Sequence, residues 1–529
     1  MKFLIGMGVT LVLYVIVSFF VSKKVKSADD YFVAGRNAPT ILITGSLVAS
    51  FIGVGLFMGD VGESYSGFFA PIIVAVGVLS VGYIVGSIFF GRYLRRSGAN
   101  TIPEYFGKRF DSKALKMLAS ITGTFIMIVY SLSCVQGIGS LMSMVTKLPY
   151  QVCITIAVAV FTLITILSGA KGVLITDTIM YALFSIAAIV GAFFIANEAG
   201  GWFETVKDMA NYEAVEGILS GSGNLDYFYP TGAENMIWAV GYGIAWMAVL
   251  MVAPWQSSRY LMAKNEHTVI RSGIIASISV FVIEFLMCMA GVFMNKINPG
   301  MENPSDALVW ASMNVMPSIL GVVVLSGVLA SAISSATTFL SLVSSNITID
   351  IMQIKEPKKQ VGIGKLVAIA VAVIVLLVCI WNPPQIFWIT YLGATIVACS
   401  WLPVSIASVW SKRVTKVGAF ASMLSGFVVS TVMKIVVVVK GISLPIYFDP
   451  FFVGIAVSII ALIIGSAFTK VTDKEKEERA KLFVKPDEDD NPKEVKRTKA
   501  LVFATIPLGL LVTVVMLVLW VIPYLMGRA

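Results

Sequence analysis

The sequence carries little charge for its length. Of its 529 residues, 13% are Asp, Glu, Lys or Arg and 57% are hydrophobic, and the mean hydropathy is +0.88. A water-soluble globule of this size needs far more charge to cover its surface. The composition therefore excludes an ordinary soluble protein and predicts a chain whose solvent is lipid.

Residues typical of catalytic and metal sites are also scarce. The single histidine, His267, lies in a polar stretch at 264–271 and is expected to be a solvated loop residue, which argues against histidine-based catalysis or a multi-histidine metal site. The five cysteines all fall inside apolar runs, so they predict neither a disulfide framework nor paired metal ligands. No nucleophile, base and orienting group can be named together, and an enzyme is the least expected class.

Long apolar runs are abundant. Each is long enough to cross about 30 Å of hydrocarbon as a helix, and together they predict an all-α integral membrane protein with about 14 transmembrane helices. A basic cluster follows the first run, which indicates a retained helix and not a signal peptide. The predicted spans are 2–22, 40–66, 68–93, 113–146, 150–169, 172–195, 234–255, 268–294, 308–346, 362–381, 384–410, 416–440, 450–470 and 500–526.

The distribution of basic residues predicts an orientation. The net charge is +9, but the Lys and Arg residues sit in short loops and form no continuous stripe, so no nucleic-acid partner is expected. Most of them fall on the inner side if the amino end lies outside, as the positive-inside rule requires. We therefore expect a multi-pass protein of the cell (plasma or inner) membrane with both termini outside.

We expect a single transmembrane domain over residues 1–529, since no linker of domain size interrupts it. Its predicted parts are an extra N-terminal helix at 2–22, a core at 40–410 and additional C-terminal helices at 411–529. The last part contains a charged segment at 471–499, which is expected to be a solvated cytoplasmic linker.

Glycines interrupt two of the predicted spans near mid-membrane. The second span contains Gly53, Gly55 and Gly59, and the seventh contains Gly241 and Gly243. Broken helices at equivalent places in two successive groups of five are typical of an inverted-repeat transporter. Glycines also permit close packing of unbroken helices, and they do not decide between the two interpretations.

The ninth predicted span carries a dense run of hydroxyl side chains from Ser331 to Thr348. Hydroxyl oxygens are hard, neutral ligands that suit sodium, and residues three or four apart share one helical face. Alternatively, Ser and Thr hydroxyls hydrogen-bond to their own helix and let neighbours approach closely.

Ionisable residues within spans are costly in a membrane and are therefore functional candidates. Asp177 follows Thr176 near the predicted inner edge, where it could receive an ion or simply act as a favourable charge at a helix amino terminus. The other candidates are Asp60, Glu63, Glu284 and Lys434.

Several stretches, in this order and spacing, resemble the sodium:solute symporter family, which includes carriers for proline, pantothenate, choline, iodide and sugars. The resemblance covers roughly spans one to eleven. The stretches are Ser27–Arg36, Gly45–Ser50, Gly169–Gly172 with Thr176 and Asp177, and Ser334 and Ser335 followed by Ile347–Asp350.

The resemblance implies a five-plus-five inverted-repeat (leucine-transporter-type) core and sodium-coupled symport by alternating access. It implies a sodium ion bound between the first and eighth core helices, counted from the second span. The implied ligands are main-chain oxygens of Ala49, Ile52 and Ser331 and the hydroxyls of Ser334 and Ser335. A second sodium is implied for some members, and Asp177, Thr337 and Thr338 match that pattern.

The implied cargo is a small organic solute. Members that bind sugars tend to carry Glu or Gln where this chain has Gly55 and Leu56, so an amino acid, a betaine- or choline-like solute or a carboxylate is favoured over a sugar. Aromatic residues could line the pathway or form interfacial belts. The expected substrate-binding residues are Phe51, Gly53, Gly55, Leu56, Tyr242, Trp246, Trp388 and Tyr391.

Two alternatives retain the same fold: a solute sensor and an uncoupled uniporter. The short segment 471–499 has no room for a kinase-sized signalling module, and the intact hydroxyl set argues against loss of coupling. The sequence leaves the oligomeric state and the number of sodium ions open.

Overall fold

The computed structural model describes residues 2–22, 34–210, 232–381 and 386–528. Within these ranges the regular structure is helical, apart from one isolated bridge between Ala38 and Ala263. The α-helices are Lys2–Ser22, Thr40–Ala49, Val61–Glu63, Phe69–Leu79, Gly82–Gly86, Arg92–Arg96, Ile102–Arg109, Lys113–Thr146, Tyr150–Glu198, Trp202–Met209, Gly232–Val252, Pro254–Met262, Glu266–Ile297, Ala307–Asn314, Ser318–Ser345, Pro357–Trp381, Ile386–Ile396, Leu402–Trp410, Lys416–Lys440, Pro450–Ala467, Asp473–Lys481, Pro492–Met516 and Ile522–Arg528.

Short π and 3-10 segments continue or connect these helices. The π segments are frequent at functional sites in general because they re-aim side chains. They are Gly55–Asp60, Ser64–Phe68, Ser87–Gly91, Asn346–Ile351, Val397–Trp401 and Leu517–Val521, and the 3-10 turns are Ala34–Arg36, Pro304–Asp306, Ile446–Phe448 and Asp487–Asp489.

Twelve helical stretches among the described residues are long and apolar enough to cross a membrane. The two other predicted spans correspond to the N-terminal helix Lys2–Ser22 and to the broken helix that begins with Thr40–Ala49. The all-α membrane architecture is thus confirmed. Two boundaries differ: helix is continuous over Tyr150–Glu198, and the predicted span 308–346 divides into Ala307–Asn314 and Ser318–Ser345 around Pro317.

Of the two interpretations left open for Gly241 and Gly243 in the seventh span, the structure shows close packing. Gly232–Val252 is one unbroken helix, and its glycines allow close packing instead: a Cβ on Gly243 would lie 2.7 Å from Val78 Cβ. The break comes at Ala253, which is extended (φ −56°, ψ 141°) and precedes Pro254 at the start of Pro254–Met262. Proline disfavours the helical conformation of the residue before it, which explains the position.

Three core helices meet where the sequence places its hydroxyls. A Cβ on Gly45 of the first core helix would lie 2.8 Å from Thr178 Cα, and one on Gly327 of Ser318–Ser345 would lie 3.1 Å from Phe184 Cα. The absence of side chains at both glycines lets the backbones approach. The second half of Tyr150–Glu198 therefore packs between the first and eighth core helices.

The segments predicted to be inner loops gather at one end of the bundle, which we call the basic end. Arg36 donates to the carbonyls of Gly98 and Ala99, each at 2.9 Å, and Arg95 Nε donates to the Ala263 carbonyl at 2.6 Å. Lys474 pairs with Asp111 at 2.7 Å. The basic end therefore combines residues from 34–39, 92–116, 259–271 and 472–498.

Segment 471–499 is largely exposed, as expected of a solvated linker, but it is partly helical and docks on the basic end. A capping box at Thr472 and Glu475 begins the helix Asp473–Lys481, and Glu475 is fully buried. The Glu475 carboxylate accepts from the Lys416 amide at 2.7 Å, and its carbonyl accepts from Arg109 Nη1 at 3.1 Å. This segment docks on the basic end because its charges find partners there, which composition alone does not reveal.

The expectation for His267 is wrong. His267 is buried, with its Nδ1 3.0 Å from Thr498 Oγ1 and its Nε2 3.0 Å from the Asp489 carbonyl. It is therefore a structural contact between the start of Glu266–Ile297 and the docked C-terminal segment.

Candidate functional site

The first core helix is broken where the sequence predicts. Thr40–Ala49 ends at Ser50, residues 50–53 form a turn, and helix resumes with the π segment Gly55–Asp60. A break exposes backbone carbonyls that an intact helix would use internally. The Ala49 carbonyl oxygen lies 3.4 Å from Ser334 Oγ of the eighth core helix.

The predicted sodium-binding residues of that helix are all buried: Ser331, Ser334, Ser335, Thr337 and Thr338. Two of the hydroxyls bond to their own helix, Ser331 to the Val328 carbonyl at 2.8 Å and Thr337 to the Ser334 carbonyl at 3.0 Å. For Ser331 the predicted ligand is the main-chain oxygen, so this bond leaves the prediction unaffected.

Ser335 faces the turn in the first core helix. A Cβ on Gly53 would lie 3.1 Å from Ser335 Oγ, so the hydroxyl fills the space that a side chain at position 53 would need. Ile52 is fully buried, and its amide donates to the Val48 carbonyl at 2.8 Å. The structure thus brings Ala49, Ser334 and Ser335 together at the break.

Asp177 is fully buried and directly contacts this cluster. Its Oδ1 accepts from Ser334 Oγ and its Oδ2 from Ser46 Oγ, both at 2.5 Å. Since Ser334 has a single hydroxyl proton and donates it to Asp177, its lone pairs remain available to a cation. Asp177 therefore orients Ser334 and brings negative charge next to the break.

Sequence reasoning missed Arg259, which completes this network. Its Nη2 lies 3.3 Å from Asp177 Oδ2 and donates to Thr338 Oγ1 at 2.8 Å, while its Nε donates to Ser46 Oγ at 3.0 Å. The guanidinium is 2% exposed and neutralises a carboxylate that would otherwise be an unpaired buried charge. In the sequence, Arg259 is a basic residue shortly after Pro254, between the predicted spans 234–255 and 268–294. It was therefore counted among the loop residues.

A small cavity of about 30 Å³ adjoins the turn of the first core helix. Four of the expected substrate-binding residues line it, Phe51, Gly53, Gly55 and Trp246. The sequence analysis did not single out its other ring-bearing lining residues, Tyr130, Trp255 and Phe339. Its remaining lining residues are Ser50, Ser133, Ser335, Thr390, Val54, Cys134 and Val249.

The other four expected substrate residues lie outside that lining. Leu56 is buried on the segment after the break, and Tyr242 stacks on Trp238 at 4.8 Å and on Phe387 at 5.5 Å between ring centroids. Tyr391 joins this aromatic layer 5.0 Å from Tyr242. The layer separates the cavity from the end of the bundle opposite the basic end.

Trp388 borders a second, open pocket of about 1300 Å³ on the far side of the aromatic layer. The Lys434 ammonium lies 5.1 Å from the Trp388 ring centroid and 4.8 Å from that of Tyr391. These cation–π contacts explain how a lysine is accommodated in an apolar helix. Trp388 and Tyr391 thus contact Lys434 beside this open pocket and do not line the cavity at the break of the first core helix.

Helices broken at mid-membrane, with buried oxygen atoms and a small cavity beside the break, are typical of a secondary transporter that couples an ion to a small solute. The sequence model of the sodium:solute symporter family matches residues 31–426. The chain belongs to the sodium:solute symporter family, so it is a sodium-coupled transporter and not an enzyme. Of the stretches that carry the resemblance, residues 27–33 lie outside the described part of the chain.

Individual relatives agree with this assignment. The chain is 24% identical over 448 residues to a sodium/proline symporter of Salmonella typhimurium, covering 79% of this chain and 85% of the relative. It is 22% identical over 453 residues to a sodium/pantothenate symporter of Escherichia coli, covering 83% and 90% respectively.

A solved structure shows the same fold. The substrate-bound, outward-open state of a Na⁺-coupled sialic acid symporter superposes with a TM-score of 0.73 at 19% identity, covering 89% of this chain and 99% of that one. The leucine-transporter-type inverted-repeat core predicted from the sequence is confirmed.

Proposed function

We propose that the chain binds sodium at the break of the first core helix. The ligands would be the main-chain oxygens of Ala49, Ile52 and Ser331 and the hydroxyls of Ser334 and Ser335. The observation that carries this proposal is the 3.4 Å approach of Ser334 Oγ to the Ala49 carbonyl, because it sets two oxygens from different helices beside one point. Sodium bound there ties the eighth core helix to the first and organises the adjacent cavity.

A second sodium at Asp177, Thr337 and Thr338 stays a prediction. In its favour, Asp177 and Thr338 share the Arg259 guanidinium as a partner, so their oxygens face the same small volume. In the conformation described, that volume already holds a positive charge. Sodium binding there would require Arg259 to move.

The proposed cargo is a small organic solute held in the aromatic cavity. Its lining contains no charged side chain, but it offers rings and the hydroxyls of Ser50, Ser133, Ser335 and Thr390. Rings favour an apolar or cationic face on the solute, which suits an amino acid or a betaine- or choline-like solute better than a sugar. Proline and pantothenate are the cargoes named for the relatives above, and both are carboxylates.

The proposed location is the cell membrane, with both termini outside. Support comes from the basic end, since the loops that the positive-inside rule places in the cytoplasm lie together there.

Uptake by purified protein in proteoliposomes tests the sodium site. Solutes are first screened by sodium-dependent thermal stabilisation, since only a bound ligand should stabilise the protein. In the double variant Ser334→Ala, Ser335→Ala, we expect the sodium concentration for half-maximal uptake to rise by about tenfold or more, because two ligands each worth on the order of 1 kcal/mol are lost.

Ser345→Ala is the matched control, because the Ser345 hydroxyl bonds to the Ser341 carbonyl of its own helix. It should leave the sodium dependence unchanged. Unchanged sodium dependence in the double variant would contradict the proposed site. Solute uptake without an accompanying sodium flux would instead identify a uniporter.

A further inference from the structure

Two acidic residues on the side of the cavity away from Asp177 have no role in the proposed sodium site. Asp60 ends the π segment Gly55–Asp60 of the first core helix, and Glu284 lies in the middle of Glu266–Ile297, the seventh core helix. Glu284 is 2% exposed, and its Oε2 has no hydrogen-bond partner among the described residues. An unpartnered carboxyl oxygen at this depth requires an explanation.

The seventh core helix turns Glu284 toward Asp60. Glu284, Cys288 and Gly291 stand at positions i, i+4 and i+7 and share one helical face. A Cβ on Gly291 would lie 2.6 Å from the carbonyl oxygen of Val61, the residue after Asp60. Glu284 and Asp60 accordingly lie on two helices that are in direct contact beside Asp60.

Tyr242 fixes the Asp60 carboxyl group. The phenol donates to Asp60 Oδ1 at 2.7 Å, and its ring is held in the aromatic layer between Trp238 and Phe387. This bond joins the first and sixth core helices. The Glu284 carboxyl has no equivalent donor, so the two acids occupy different environments.

No positive charge compensates the two acids. None of the salt bridges formed within the described ranges includes Asp60 or Glu284. Each ionised carboxylate is costly at this depth, and like charges held close together are costlier still. The titratable groups that face the pair are all acidic or neutral: Glu63, Tyr83, Tyr130, Tyr242 and Cys288, with Asp306 on the 3-10 turn that packs against Gly62.

The pair does not form a multi-ligand metal site. Within the described ranges, no group of three or more His, Cys, Asp or Glu residues has the geometry to hold a metal ion. A single proton needs only one carboxyl oxygen and removes the repulsion between the acids. A proton is therefore sufficient to compensate the pair.

We propose that Asp60 and Glu284 form a proton-binding site, with the proton carried on Glu284 Oε2. With the proton bound, the first and seventh core helices pack as described. Without it, two neighbouring negative charges push those helices apart. The symporter would thus be sensitive to pH through a site separate from the sodium ligands, and the inference rests on the proposed function only for its link to transport.

The test uses the proton itself as the probe and needs no knowledge of the solute. Thermal unfolding of the purified full chain is followed between about pH 5.5 and about pH 8.5 at fixed sodium, a window well above the usual range of an exposed carboxyl. A proton kept only by the folded state stabilises it less as pH rises. We expect the melting temperature of the wild type to fall by at least about 3 °C across this window.

Glu284→Gln resembles the protonated side chain. Its melting temperature should therefore stay nearly constant across this window, without the fall of at least about 3 °C expected for the wild type. Glu302→Gln is the control, because Glu302 is an exposed carboxyl outside the pair, and it should keep the wild-type slope. Asp60→Asn should shift the pH at which the melting temperature changes most, which keeps the test decisive if the Glu284 variant folds poorly. A Glu284→Gln slope equal to the wild type, or a Glu302→Gln slope as flat as Glu284→Gln, would overturn the proposal.

Sodium provides an independent readout in the same samples. At fixed pH, added sodium should raise the melting temperature of the wild type and of Glu284→Gln alike. Loss of that rise in both proteins would contradict the sodium site and leave the proton site standing.

Discussion

The first and sixth core helices are both broken at mid-membrane, but they are broken differently. The first breaks over residues 50–53, without a proline, and brings the Ala49 carbonyl close to the eighth core helix. The sixth breaks at Ala253 before Pro254 and continues as Pro254–Met262. The first break contributes backbone to the site, whereas the sixth contributes side chains from the helix beyond it.

Those side chains tie the two breaks together. Gln256 Oε1 accepts from Ser50 Oγ at 3.3 Å and from Tyr83 OH at 2.9 Å. One turn further along, Arg259 reaches Ser46 and Asp177. A cation bound at the first break would therefore be held in a network whose other end belongs to the sixth helix, so the two breaks should respond differently to mutation.

The largest expected effect is on the link between the breaks. Arg259→Ala leaves Asp177 as a buried carboxylate without its ion pair, and the free energy of unfolding should fall by about 3–5 kcal/mol. Chemical or thermal unfolding in detergent measures this. Arg259→Lys keeps the charge but loses the planar arrangement of donors. Its free energy of unfolding should therefore lie between those of the wild type and the alanine variant. An alanine variant as stable as the wild type would show that the pair does not join the breaks.

Glycine variants should distinguish a glycine that lets two helices pack closely from a glycine at a helix break, because the first should affect stability and the second sodium binding. Gly243→Ala places a methyl group 2.7 Å from Val78 Cβ and 3.0 Å from the Ala75 carbonyl, which should cost about 1–3 kcal/mol of stability. Its half-saturating sodium concentration should not change. Gly53→Ala, at 3.1 Å from Ser335 Oγ, should instead weaken sodium binding by up to about tenfold with a smaller loss of stability.

Gly241→Ala is the control for this pair, because its methyl group would meet the Phe452 ring at 2.8 Å and the Phe451 ring at 3.4 Å, and neither ring belongs to the sodium site. Melting temperature and sodium titration of all three variants provide the comparison. If Gly243→Ala weakened sodium binding as much as Gly53→Ala, the distinction between the two kinds of glycine would fail.

The smallest effect concerns the proline at the sixth break. Pro254 occupies the first position of its helix, where its missing amide costs nothing and its fixed φ favours the bend. Pro254→Ala should lower stability by about 0.4–1 kcal/mol, mainly by freeing the unfolded chain. Thermal unfolding measures the change, and sodium titration should be unaltered. A large loss of sodium affinity in Pro254→Ala would mean that the break at Ala253 depends on the proline ring.

Properties that depend on local composition were predictable from the sequence. Hydropathy identified the spans, and the glycines with Ser50 located the first break. The sixth break was not located, because Gly241 and Gly243 were the only signals considered in that span and they left a break and close packing equally open; each fits against a neighbouring helix. Pro254 was the better signal, since its effect on Ala253 follows from sterics alone.

Properties that depend on distant partners were not predictable. Arg259, His267 and Glu475 all belong to polar stretches, and nothing local shows that each is buried. Their partners lie between 59 and 366 positions away. The cavity was half predicted for the same reason: Phe51 and Trp246 flank the breaks, whereas Tyr130 and Phe339 reach the cavity from helices elsewhere in the chain.

The docked C-terminal segment also has a consequence for biosynthesis. Three side chains contact carbonyl oxygens that come much later in the chain. The separation is 366 positions for Arg109, 386 for Arg96 and 222 for His267. Since a ribosome supplies these partners only near the end of synthesis, the basic end cannot close while the transporter core is being made. A nascent chain that stops before residue 471 would thus leave Arg109, Arg96 and His267 each without a partner from the C-terminal segment, which suits it for recognition by quality control.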